Sequence, residues 1–201
     1  PLQRMVFTMM SMQMFHDDMS ESLRQITRGT DPGYFGNAMI LYKRCLPEVG
    51  RISISEQETM EMARRILMAS GSCDALPESL QGQLQSIFEM MRPIRSTVLR
   101  AAKIRRCVDR SMQHRVLGME STSEGPYVRG MQAAARMLLT EAAFGICQHQ
   151  DGLETGKQVS ESLLGALGVA IHLADGSHLM GQLAATALLE ETAELLALAV
   201  E

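Results

Sequence analysis

The sequence predicts an all-α protein, about eight helices packed as two helical bundles, and its composition and its periodicity carry that expectation. The 201 residues include 17 Met and no Trp, and only 4% are aromatic. A long all-β domain draws on Val, Ile, Thr, Tyr and Phe, whereas unbranched, polarizable Met fills irregular gaps between helices. With 46% hydrophobic residues the chain can bury a real core at this length and does not read as disordered.

Start and stop signals of helices recur along the chain. Leu2, Met5, Val6, Met9, Phe15, Met19, Leu23 and Ile26 keep helical spacing, Gly29 can end that helix, and Thr30-Asp31-Pro32-Gly33 forms a turn. A short helix is expected from Asn37 to Leu46, stopped by Pro47. Ser55 with Glu58 has capping-box spacing and opens a helix to about Ala69, before Gly71. Pro77 suits the first turn of a helix through Met91, and Pro93 the first turn of a long helix to Leu117. Residues 118–125, rich in Ser, Thr and Glu, are the expected linker. It divides an N-terminal helical domain, 1–118, from an acidic C-terminal one, 125–201. Beyond it, helices are expected from Pro126 to Cys147, Gly156 to Ala174 and Ser177 to Val200.

The net charge of −4 hides a polar distribution. From Asp151 to Glu201 eight acids face Lys157 alone, a net of −7, which leaves +3 on residues 1–150. Most of that excess lies in residues 92–115, where eight cations oppose Asp109 only. At about 100° per residue, Arg92, Arg95, Arg100, Lys103, Arg106 and Arg110 fall within about 140° on one helix face. Ile94, Val98, Ala101, Ile104, Val108 and Met112 gather opposite, so one face docks on a core while the other offers a cationic strip. These six cations are the candidate binding residues. Anionic lipid headgroups, nucleic-acid phosphates and the acidic region of a second copy are the partners such a strip fits. Residues 92–115 contain no aromatic side chain for base stacking, so nucleic acid would be met through its backbone, without sequence preference.

Catalytic and metal chemistry find little support. Cys45, Cys73, Cys107 and Cys147 lack CxxC spacing and read as reduced, mostly buried thiols of a cytosolic or nuclear setting. Cys147 and His149, even with His172 or His178, lack the second tight pair that structural zinc wants. His16, beside Asp17 and Asp18, is expected to face solvent. Gly165 and Gly168 sit inside an apolar helix, where close packing explains them better than a phosphate loop. The run from Leu163 to Ala174, broken only by His172, is too short for a membrane span of about 20 residues. The opening Pro1-Leu2-Gln3-Arg4 lacks a signal-peptide layout. The expectation is therefore no enzyme, no cofactor and no metal.

Val6-Phe7-Thr8, followed by Asp31-Pro32 and then by Ala38, Leu41, Tyr42, Lys43 and Arg44, resembles part of the matrix proteins of orthomyxoviruses. The likeness covers about residues 6–44, and the length and Met-rich composition suit a divergent branch such as the isaviruses of fish. Thr140-Glu141-Ala142-Ala143-Phe144-Gly145 is similar to a second run of that family, though not collinear without a large insertion. The resemblance implies an all-helical structural protein on the inner face of a virion envelope, found also in host cytoplasm, at the plasma membrane and in the nucleus. It would polymerise into a lattice, bind acidic lipid, and bridge to viral ribonucleoprotein or RNA and to glycoprotein tails. The competing expectations are a helical adaptor or nucleoprotein-binding module without a membrane role, and a helical enzyme using Cys147 or Cys45.

Overall fold

Six helices, a 3-10 turn and their connections make up the described part of the structure, a computed structural model describing residues 37–104, 107, 125–148, 153–175 and 179–200. The helices are α1 (Ala38–Val49), α2 (Ile54–Ser70), α3 (Glu78–Ala102), α4 (Gly125–Cys147), α5 (Leu153–Ala174) and α6 (Leu179–Val200), with the 3-10 turn at Cys73–Ala75. No strand occurs among the described residues. The helix expected over residues 2–28 and the linker expected at 118–125 lie outside them. Helices on both sides of that linker contribute to one hydrophobic cluster, from Ala38 and Tyr42 through Leu84, Met91 and Val98 to Leu138, Val169 and Leu188.

Several helix ends differ from the sequence reading, three of them for a visible physical reason. The capping box forms at Ser53 and Glu56, two residues earlier than expected: Glu56 N–H donates to Ser53 Oγ at 3.1 Å, and Ser53 N–H donates to the Glu56 carboxylate at 2.6 Å. Both serines have the required spacing to a glutamate, but the earlier choice puts Ile52 in the core at 4% exposure. Hydrogen bonds from the Ser53 backbone and, second, from its side chain hold the Glu56 carboxyl below its usual range. At the other end of α2, Gly71 adopts a left-handed backbone (φ 66°) and donates to the Leu67 carbonyl, the ordinary glycine stop. In α1, Pro47 falls inside the last turn rather than ending the helix, which runs on to bury Val49.

The third difference matters most. Pro93 opens no new helix; α3 runs straight through it from Glu78 and ends at Ala102, far short of Leu117. A proline inside a helix forfeits the bond to the carbonyl four residues back, here that of Glu89. Glu89, Arg92 and Pro93 are all exposed, so water can reach that carbonyl, while Met91 and Ile94 are buried on either side of the break. Burial of such side chains contributes roughly 1.5–3 kcal/mol each, enough to offset a proline costing about 3 kcal/mol. At its far end α3 stops because Ile104 turns back into the core at 5% exposure.

His172 fixes that turn. Its Nε2 lies 2.7 Å from the Ile104 carbonyl oxygen and its Nδ1 lies 2.9 Å from the Tyr42 hydroxyl. A carbonyl only accepts, so Nε2 carries the proton and Nδ1 accepts from Tyr42. The neutral ring thus ties α5 to α1 and to the exit of α3. Burial pushes the His172 pKa down, against a smaller upward pull from the Ile104 hydrogen bond and Asp175. Burial also raises Tyr42 well above the usual phenol, with Cys107 and Cys45 adding to it.

Contacts along the helices set their directions. α4 and α5 are antiparallel: Gly145 meets Val159, Ser162 donates to Glu141, and Gly165 meets Leu138. α3 runs parallel to α5, pairing Arg95 with Ser162, Leu99 with Gly165 and Ala102 with Gly168. α6 returns antiparallel to α5, with Gly181 against the Leu173 carbonyl. A Cβ on Gly165 would lie 2.4 Å from Leu99 Cδ2, and one on Gly168 would lie 2.6 Å from the Ala102 carbonyl oxygen. Close packing is therefore what both glycines serve. A buried ion network locks α2 to α6 and α4: Arg64, 4% exposed, pairs with Glu61 and Glu191, and Arg136 reaches Glu191 at 3.1 Å. Burial alone would raise the Glu61 carboxyl, but Arg64, Arg65 and Arg136 together hold it below its usual range.

Gly168→Ala is expected to destabilise the fold by about 1–3 kcal/mol in denaturant titration, because the Ala102 backbone must move. Gly82→Ala, where an added methyl meets nothing within 4 Å, should instead stabilise by about 0.5–1 kcal/mol. Equal responses would contradict the close approach of α3 to α5. A His whose folded pKa lies below its unfolded value of 6.5 binds fewer protons in the native state. Stability should therefore fall as pH drops below about 6.5 and level off beneath the folded pKa. Melting scans between pH 7.5 and 5 should show that slope in the wild type and a flatter one in His172→Gln.

Candidate functional site

Of the six cations expected on one rod, Arg92, Arg95, Arg100 and Lys103 are described, and they do not share one role. Arg92 is exposed and paired with Glu89 at 2.6 Å, one turn back on its own helix. Arg95 turns inward. Its guanidinium donates to Glu141 at 2.7 Å and to Ser162 Oγ at 3.2 Å, with Glu161 at 3.9 Å. Glu141 also accepts from Ser162 at 2.7 Å and from Gln158 at 3.0 Å, so this charge is satisfied within the fold. Arg100 is exposed in the last turn of α3, and Lys103 is exposed as the residue capping it. Arg106 and Arg110 lie outside the described residues. A helix unbroken from 92 to 117 is not found: α3 ends at Ala102, Ile104 is buried beyond it, and the rest of that expected helix lies outside the described residues apart from Cys107.

The packing assembles a different group. The C-terminal ends of α3 and α5 and the N-terminal ends of α4 and α6 share one end of the bundle, given the helix directions above. Tyr42, bonded to His172, brings α1 to the same end, and Lys43 and Arg44 follow it, both exposed. Lys43 Nζ sits 5.5 Å from the centroid of the Tyr127 ring at the start of α4, and Arg129 is exposed one half-turn further. Lys43, Arg44, Arg100, Lys103 and Arg129 therefore surround one end, with Asp175 the acid described there. The opposite end carries Asp74 in the 3-10 turn, Glu78 at the start of α3 and Glu194 near the end of α6, all exposed, together with exposed Lys157 near the start of α5. Charge is polarised along the bundle axis rather than across one helix. Lys43, Arg44 and Arg129 escaped the sequence reading because they are scattered singly or in pairs over two helices; only the Lys43-Arg44 doublet stands out locally.

A second feature is a polar cleft of about 530 Å³ between α3, α4 and α5. Phe88 and Phe144, with ring centroids 6.0 Å apart, line it together with Arg92, Arg95, Lys157 and Glu161. Around it Arg92 pairs with Glu89, and Arg95 with Glu141 and Glu161, so it presents no single charge.

The thiols are held protonated. Burial pushes Cys45 and Cys73 up to about 11, with Cys147 and Asp74 adding to the latter, and burial raises Cys147 as well. All four cysteines are free. No group of three or more His, Cys, Asp or Glu able to hold a metal ion occurs among the described residues. No helix among them is long and apolar enough to cross a membrane.

Neither a family model nor a curated protein nor a solved structure matches the chain.

A thiolate is the reactive form of cysteine, so Cys45 and Cys147 are expected to react with Ellman's reagent at pH 7.5 at least about 10-fold more slowly in the native protein than in guanidinium. A single fast-reacting native thiol among them would instead mark a nucleophile.

Proposed function

We propose that this chain is a structural coat protein of the matrix kind, docking end-on to an anionic membrane and associating with further copies of itself. The observation that supports this most is the gathering of Lys43, Arg44, Arg100, Lys103 and Arg129, all exposed, at one end of a rigid helical bundle. Each basic residue near an anionic surface is worth about 1 kcal/mol, so three to five suffice to hold a protein of this size there. The likeness of residues 6–44 to orthomyxovirus matrix proteins supports the same reading. So does the acidic opposite end, which suits head-to-tail contact with the basic end of a neighbour and repeats into a lattice. In that arrangement ribonucleoprotein and glycoprotein tails are the further partners. The site comprises the end cluster together with Arg92; Arg95 serves the fold.

Co-sedimentation with vesicles tests the proposal. Vesicles containing phosphatidylserine should pellet the protein in low salt, and pure phosphatidylcholine vesicles should not. Raising salt to 0.5 M should release it. The triple variant Arg100→Glu, Lys103→Glu, Arg129→Glu should lose at least about 100-fold in partitioning. Equal pelleting with neutral vesicles defeats the reading. Salt-sensitive binding to RNA, with indifference to either vesicle, replaces it by a phosphate-backbone binder.

A further inference from the structure

The same end of the bundle carries apolar side chains that electrostatics alone does not use. α6 begins there, and from Leu179 to Leu189 it has no charged residue; its first acid is Glu190. Met180 is 66% exposed and Leu183 is 56% exposed, two of the largest apolar exposures described. They cannot fold back onto the core. A Cβ on the intervening Gly181 would lie 2.7 Å from the Leu173 carbonyl oxygen, so this turn of α6 is pressed against α5 on its other side. Ala184, Ala185 and Leu188 fill the inward face of the helix. Exposed large hydrophobes ringed by polar groups mark interaction surfaces. The exposed cations Lys43, Arg44, Arg100, Lys103 and Arg129 lie at the same end of the bundle, and the partner complementary to both features is a bilayer with anionic headgroups above an apolar interior.

We infer that Met180 and Leu183 enter the boundary between headgroups and acyl chains when the basic end docks, anchoring the protein by a contribution that salt does not screen. The inference rests on the membrane reading above and adds a depth and an orientation to it: the N-terminal turn of α6 faces the bilayer, and its acidic C-terminal half points away. Charge brings the surface close, and the two apolar side chains then lose water to the interface.

The chain has no Trp, so one introduced tryptophan is a clean reporter. In the full-length protein, Met180→Trp should shift its emission to the blue on adding phosphatidylserine vesicles and should be quenched by lipids brominated along the acyl chain. Gln83→Trp, exposed on α3 near the opposite end, should do neither. Met180→Asn with Leu183→Asn should lower partitioning by about 10- to 100-fold while leaving its salt dependence unchanged, with helical circular dichroism intact. Pelleting without any emission shift overturns insertion and leaves surface docking standing. Absence of pelleting removes the docking reading and this inference with it. A blue shift that grows with protein concentration and needs no vesicles makes the patch a contact between copies, which also overturns insertion.

Discussion

The close approach of α3 to α5 governs the geometry of everything else. Gly165 and Gly168 remove the side chains that would hold these helices apart, so that Leu99 and the Ala102 backbone press directly on α5. One turn further on, His172 takes the Ile104 carbonyl and the Tyr42 hydroxyl on its two ring nitrogens. Three elements distant in sequence thus meet around one neutral imidazole. Because each nitrogen has a single fixed role there, the exit of α3 and the placing of α1 are settled together.

That junction creates the polarity of the molecule. By stopping α3 at Ala102 it leaves Arg100 and Lys103 at an end rather than along a rod, and by holding α1 there it adds Lys43 and Arg44. The antiparallel course of α6 carries Glu194 to the other end, whereas Asp175 stays at the basic one. Arg64, Glu61, Glu191 and Arg136 act in a complementary way, holding α2, α4 and α6 in one register. A buried ion network of this kind is weak evidence for stability but strongly penalises any arrangement that leaves one of its charges unpaired.

The proposed docking end combines contributions of different range. The cations act over about a Debye length, some 8 Å at physiological salt, and can orient the bundle before contact. The apolar pair acts only on contact. A surface built from both binds in two stages, and its selectivity for anionic lipid comes from the first. Arg95 and Arg92 illustrate why a count of cations overstates such a surface: one is consumed by Glu141 and Ser162, the other sits beside Glu89.

The all-helical class, the C-terminal ends of α2, α4 and α5, the tightly packed Gly165 and Gly168, and the excess of acid near the C-terminus were legible in the chain itself. Periodicity, capping chemistry and composition are local properties, and a local pattern reports them. The continuity of α3 through Pro93 was not legible, since the proline's penalty is local while the burial of Met91, Ile94 and Val98 that overrides it depends on core partners from other helices. Nor was the fate of the basic residues. Which cations gather from separate helices at one end follows from helix direction and from a histidine 68 residues beyond the carbonyl it binds. Sequence spacing carries no record of such distances; only packing sets them.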